Sequence, residues 1–155
     1  RLLGAPGVGV PARATLDGPA SVAGGDGRGV GGARAVWRGV GDGLLGTAVA
    51  AEHPPGARLG AWVGPAAGPR DYGIGGGVYH AFVGHDPGAE EAFVATREGH
   101  WKVDLFALAR QRLQAAGLDA LNIHGGTVST MADPDLYSHR RDRRTGRMAT
   151  LVWME

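Results

Sequence analysis

The sequence contains no cysteine, so neither a disulfide framework nor thiolate chemistry is open to it. Lysine is almost missing as well: Lys102 stands alone among 16 basic residues, and the other 15 are arginine. No run of 18 apolar residues occurs, which excludes a membrane-spanning helix. Nor is there an excess of one charge, since 16 basic residues face 15 acidic ones for a net charge of +1. That balance argues against charge-driven disorder and against a polyanion-binding chain such as a nucleic-acid binder. Large apolar side chains are scarce: Leu, Ile, Val and Phe together make up about a fifth of the residues, close to the floor at which a core can form. Glycine is in excess. With 29 Gly and 9 Pro in 155 residues, about a quarter of the chain is one or the other. The glycines keep no period of three, which excludes a collagen. A chain of this length is expected to make one domain, 1–155.

The glycines are unevenly spread, with 22 of the 29 in residues 1–77. Because glycine weakens helices and strands alike, residues 1–33 are expected to be weakly specified, with Val22 to Ala33 a loop. Leu44, Leu45, Ala48 and Val49 suit one face of a short helix over 42–52, ended by Pro54-Pro55. Residues 58–63 read as a strand entering a Gly64-Pro65 turn, and 72–83 as a helix. Gly73 to Gly77 and Gly4 to Gly9 read as turns, since neither carries the Lys-Ser/Thr of a phosphate loop. The strongest periodicity predicts a helix over 102–116, with Phe106, Ala109, Leu113 and Ala116 on one face and Gly117 as its C-cap. Strands are expected over 118–128 and 148–154, giving an α+β layered domain.

The residues that bear on chemistry lie mostly in the tail, DLYSHRRDRRTGRMATLVW over 135–153. Arg140, Arg141, Arg143, Arg144 and Arg147 crowd into eight positions beside a single Asp142, a cluster suited to bidentate contact with phosphate or carboxylate. The alternative is a solvated, charged hairpin tip. The six histidines show no metal-site spacing: His80 and His85 are five apart, His100 precedes the predicted helix and is expected to cap or cover it, and His124 sits at a strand edge.

The segment YSHRRDRRTGRMATLVW resembles the C-terminal signature of the laccase-domain family, also called YfiH-like, polyphenol oxidase or purine nucleoside phosphorylase proteins. VWRG at 36–39, WVGPAAGPRDYGIG at 62–75 and ATREGHWKVDLFALARQRLQAAGL at 95–118 are similar, in order, to that family's Trp-Arg-Gly motif, its Gly-Pro run and its central helix. The resemblance covers about residue 26 to the end, the C-terminal two-thirds of a usual family chain, so the family's front segment is expected to be missing. It implies a four-layer α/β/β/α sandwich with mixed sheets. It also implies activity on purine nucleosides: phosphorolysis of adenosine, inosine and methylthioadenosine, and deamination of adenosine. Copper-dependent oxidation of phenols is attributed to the family too. The family's His-Cys-His centre suits zinc or copper. Here the matching positions carry Asp17 and Arg34, and the first His has no counterpart. An arginine stays protonated and cannot ligate, so loss of the metal is expected.

By the same resemblance, Trp37, Arg38, Arg140, Arg141 and Arg147 are the expected nucleoside- and phosphate-binding residues, with Asp142 orienting one guanidinium. A structural ion pair between Arg38 and Asp142 is the alternative. Ser129 stands where the family often has Cys, beside Thr130, with no base evident in the sequence. The rival functional readings are a non-catalytic module docking an acidic partner through the arginine hairpin, and a fragment that needs more chain to fold. With no basic-then-apolar leader, the expected compartment is the cytoplasm.

Overall fold

The computed structural model describes residues 60–146 and 148. The predicted loop at 22–33, helix at 42–52 and, beyond Met148, strand at 148–154 lie outside the described residues, as do Asp17, Arg34, Trp37, Arg38 and Arg147.

The described chain runs β1 (Ala61–Val63), β2 (Gly73–Gly75), α1 (Gly76–His85), a 3-10 turn (Pro87–Ala92), β3 (Phe93–Arg97), β4 (His100–Val103), α2 (Leu105–Ala115), a second 3-10 turn (Ala120–Asn122), β5 (Ile123–Gly125) and α3 (His139–Asp142). Two sheets result. β1 pairs in parallel with β5, while β2, β4 and β3 form an antiparallel sheet in that order. The architecture is thus mixed α/β with both kinds of strand pairing.

Helix α2 begins at Leu105 because Asp104 accepts a hydrogen bond from the Ala107 amide at 2.9 Å, an N-cap. That start corrects the expected helix at 102. Lys102 and Val103 instead pair with Gly73 in β2 and with Val94 and Phe93 in β3. At the other end Ala116 is the C-cap, and Gly117, expected to cap the helix, follows it at φ +99°. The strand–turn–strand of 93–103 also replaces the first part of the stretch matched to a central helix. Gly73 to Gly77 are not a turn: the first three pair as β2 and Gly76 opens α1, against Trp101. The helix expected from 72 therefore starts at 76.

The strand expected over 118–128 shrinks to Ile123–Gly125. Asp119 accepts from the Leu121 amide and draws 120–122 into a 3-10 turn. Gly125 and Gly126 then adopt φ of +74° and +68°, and a Cβ on Gly125 would lie 2.3 Å from the Val63 carbonyl oxygen. The strand ends where only glycine fits.

α2 joins two cores. Leu105 and Leu108 pack with Tyr72, Ile74, Val78, Phe82, Phe93 and Val103, whereas Leu113 packs with Ala61, Leu118 and Ile123 beneath the parallel pair. Arg110, on the same helix, donates to the carbonyls of Ile123 and Gly125 and ties α2 to β5. Among the described residues no helix is long and apolar enough to cross a membrane.

Candidate functional site

Parallel strands send their C-terminal ends the same way, and loops at such ends are where α/β sheets build sites. Beyond β1 and β5, loop 64–72 meets loop 126–138. The Thr130 amide donates to the Ala66 carbonyl at 2.9 Å, and the Ala66 amide to that of Val128 at 3.2 Å, bridging Ala66 to Ser129. The second loop leads into α3, which carries the arginine cluster.

Arg140 and Arg141 lie on a single helical turn where a hairpin tip was the alternative, and Arg143 and Arg144 follow it. Buried Ser138 caps it, its hydroxyl accepting from the Arg141 amide at 3.4 Å, and Arg143 leaves the turn at φ +58°. Adjacent arginines then take different surroundings. Arg141 engages all five of its guanidinium N–H groups. Nη1 donates to the carbonyls of Thr130 (3.0 Å) and Asp133 (2.7 Å), and Nη2 to that of Leu136 (2.8 Å). Nε and Nη2 also donate to the two oxygens of Asp142, each at 2.8 Å. The Arg141 hydrogen bonds hold the Asp142 carboxyl below the usual carboxylate range. Asp142 therefore does orient a guanidinium, as the motif implied. Arg141 retains no N–H for a phosphate in this arrangement.

Arg140 is exposed. Its guanidinium carbon lies 4.8 Å from the centroid of the buried Tyr72 ring, and Nη2 reaches the Gly73 carbonyl at 3.4 Å. His139, Arg143 and Arg144 are exposed around it, so this turn presents positive charge suited to an anion.

Ser129 has the partner that the sequence did not reveal. Its hydroxyl donates to Asp71 Oδ2 at 2.9 Å and accepts from the amides of Gly68 (3.1 Å) and Ala132 (3.2 Å). Asp71 lies 58 residues away, a separation for which sequence spacing carries no signal. Tyr72, whose ring underlies Arg140, lies just before β2 rather than in the helix expected over 72–83.

Among the described residues, His80, His100 and His124 lie within secondary-structure elements. His100 opens β4, its ring bonded to the Glu98 carbonyl and the Arg97 guanidinium, rather than capping α2. His80 stacks edge-on to Tyr79 and Trp101, and His124 is exposed in β5. Among the described residues no group of three or more His, Cys, Asp or Glu is placed to hold a metal ion. The two ligand positions implied by the resemblance, Asp17 and Arg34, are outside that region.

The model of the multi-copper polyphenol oxidoreductase laccase family matches residues 18–155. The chain is 54% identical over 137 residues to a purine nucleoside phosphorylase of Xylella fastidiosa strain 9a5c, covering 88% of this chain and 53% of that protein. It is 39% identical over 125 residues to the purine nucleoside phosphorylase YfiH of Escherichia coli K12, covering 79% of this chain and 49% of the other. The chain thus spans about half the length of the curated relatives it matches. Among solved structures, Neisseria meningitidis protein NMB0706 superposes with a TM-score of 0.67 at 38% identity, over 73% of this chain and 46% of its own.

Proposed function

Because the chain belongs to the multi-copper polyphenol oxidoreductase laccase family, we propose that it binds purine nucleosides and inorganic phosphate and takes part in phosphorolysis. Adenosine, inosine and methylthioadenosine are the substrates that the resemblance suggests, with adenosine deamination a second activity of the same site. In phosphorolysis a phosphate oxygen bonds to the ribose C1′ as the glycosidic C–N bond breaks. The bonding pair and a proton go to the base, leaving ribose 1-phosphate and free purine. The observation that carries the reading is Arg140: exposed and held over Tyr72 on a turn that Arg141 locks. In this reading Arg140 meets the phosphate, Arg141 builds the turn that presents it, and Trp37, Arg38 and Arg147 complete the contacts to nucleoside and phosphate.

The family's description makes metal binding a family trait, and zinc or copper would supply Lewis acidity or an activated water. The donor set here does not fit such an ion: a guanidinium at Arg34 cannot ligate and would repel a cation. We take the metal chemistry to be impaired in this chain, and no step is assigned to it. The wider fold is read as the family's four-layer sandwich, and the compartment as cytoplasmic.

The test is incubation of the chain with inosine and phosphate, with and without zinc or copper, measuring hypoxanthine and ribose 1-phosphate. Phosphate-dependent release that falls at least tenfold in Arg140→Ala supports the reading. Anion binding without any turnover moves the protein to the docking-module reading. Stoichiometric zinc or copper in the purified protein overturns the loss of the metal.

A further inference from the structure

The two loops beyond β1 and β5 each supply the groups that contact one of the two arginines of α3, and a single side chain clasps the loops together. The Ser129 hydroxyl has one hydrogen to donate and two lone pairs to accept with, and all three are engaged: with Asp71, with the Gly68 amide and with the Ala132 amide. A hydroxyl so saturated is fixed in orientation and serves as a tie rather than as a nucleophile. The packing is as close as the bonding, because a Cβ on Gly68 would lie 2.6 Å from Ser129 Cβ and 2.7 Å from its Oγ. Each end of the clasp adjoins a residue that supports an arginine. Asp71 precedes Tyr72, whose ring underlies Arg140. Ser129 precedes Thr130, whose carbonyl accepts from Arg141.

We propose that the Ser129–Asp71 hydrogen bond is the positioning device of the anion site. It holds loop 64–72 against loop 126–138 and thereby sets where the Tyr72 platform, and the Arg140 guanidinium on it, stand relative to the turn 139–142. Ser129 and Asp71 are positioning residues, and neither touches the anion. The inference rests on the reading that phosphate meets Arg140.

The experiment uses the full chain, inorganic phosphate as the probe, and three variants. Ser129→Ala removes all three bonds of the hydroxyl. Asp71→Ala removes one of them, and Asp71→Asn restores an acceptor oxygen without the charge. In Ser129→Ala and Asp71→Ala the phosphate KM rises about tenfold, within what a displaced binding group costs, while kcat at saturating phosphate stays within about twofold. Asp71→Asn brings KM back to within about threefold of the parent. A second readout needs no phosphate: the Arg140 δ-protons, shifted by the Tyr72 ring current in the parent NMR spectrum, move towards open-chain values in the two alanine variants.

Unchanged KM together with an unchanged Arg140 shift in the alanine variants overturns the clasp. A parent protein that binds no phosphate, with the Arg140 shift still collapsing in Ser129→Ala, supports the clasp and overturns the phosphate reading instead. Should Ser129→Ala fail to fold, the two Asp71 variants carry the same comparison.

Discussion

Replacing Arg141 by alanine isolates what its guanidinium does for the fold. Three of its bonds go to backbone carbonyls, those of Thr130, Asp133 and Leu136, and these hold the segment 130–136 in a closed loop beneath α3. The bidentate contact with Asp142 is screened by solvent, the two side chains being 30% and 35% exposed, and adds at most about 1 kcal/mol. A hydrogen bond to a neutral acceptor contributes about 1 kcal/mol net, and three therefore about 3 kcal/mol. For a chain of this size each kcal/mol moves the melting temperature by roughly 2–4 °C, so a fall of about 6–12 °C is expected. Chemical denaturation checks the same quantity, with the midpoint lowered and the slope unchanged. Arg141→Lys should recover only part of the loss, because an ammonium has three donors on a flexible stem and cannot reach three diverging carbonyls while keeping Asp142. A loss below about 1 kcal/mol in Arg141→Ala refutes the reasoning. It would mean that water replaces the guanidinium at those carbonyls without cost, and that Arg141 is as available to an anion as Arg140.

Other consequences follow from single contacts. Leu108 is fully buried where α2 meets the larger core, so Leu108→Ala should destabilise by about 2–5 kcal/mol in denaturant unfolding. Gly125→Ala puts a methyl group 2.3 Å from the Val63 carbonyl at a φ of +74°, and should lower the melting temperature by more than Gly84→Ala, where a Cβ meets nothing within 4 Å. Asp142 has its carboxyl held below its ordinary value by Arg141, so its stabilisation is present above the unfolded carboxylate pKa and is lost as pH falls through the lower folded one. Acid unfolding of Asp142→Asn should therefore show a flatter limb than the parent. Tyr79 has its phenol raised, first by its hydrogen bond to Glu90, so that contribution holds below the usual phenol pKa and fades as pH rises through the higher folded value; Glu90→Gln should lower the tyrosine titration midpoint.

How much of this was legible in the sequence depended on where each signal resides. The body of α2 was visible because its apolar residues recur at helical spacing and a glycine, Gly117, stands just past its end. The hairpin before it was not, because β3 has one buried position followed by four exposed ones and so shows no period of two. Its pairing relies on a strand of Gly-Ile-Gly, a composition that reads as a turn. Family membership was legible from the order of short motifs, most of all the tail.

The candidate site shows the limit more sharply. Arg140 and Arg141 are neighbours of the same residue type in one motif, and any argument from composition or resemblance treats them alike. Their surroundings separate them: one meets three backbone carbonyls and a carboxylate, the other an aromatic face and solvent. Carbonyl acceptors leave no mark in a sequence, because every residue has one. Only the register that brings Thr130 to Ala66 determines which carbonyls Arg141 can reach. The Ala66–Ser129 bridge beyond β1 and β5 also brings Ser129 to Gly68 and Asp71. The proposed anion site would in this sense follow from how the two loops meet, and they share no sequence signal.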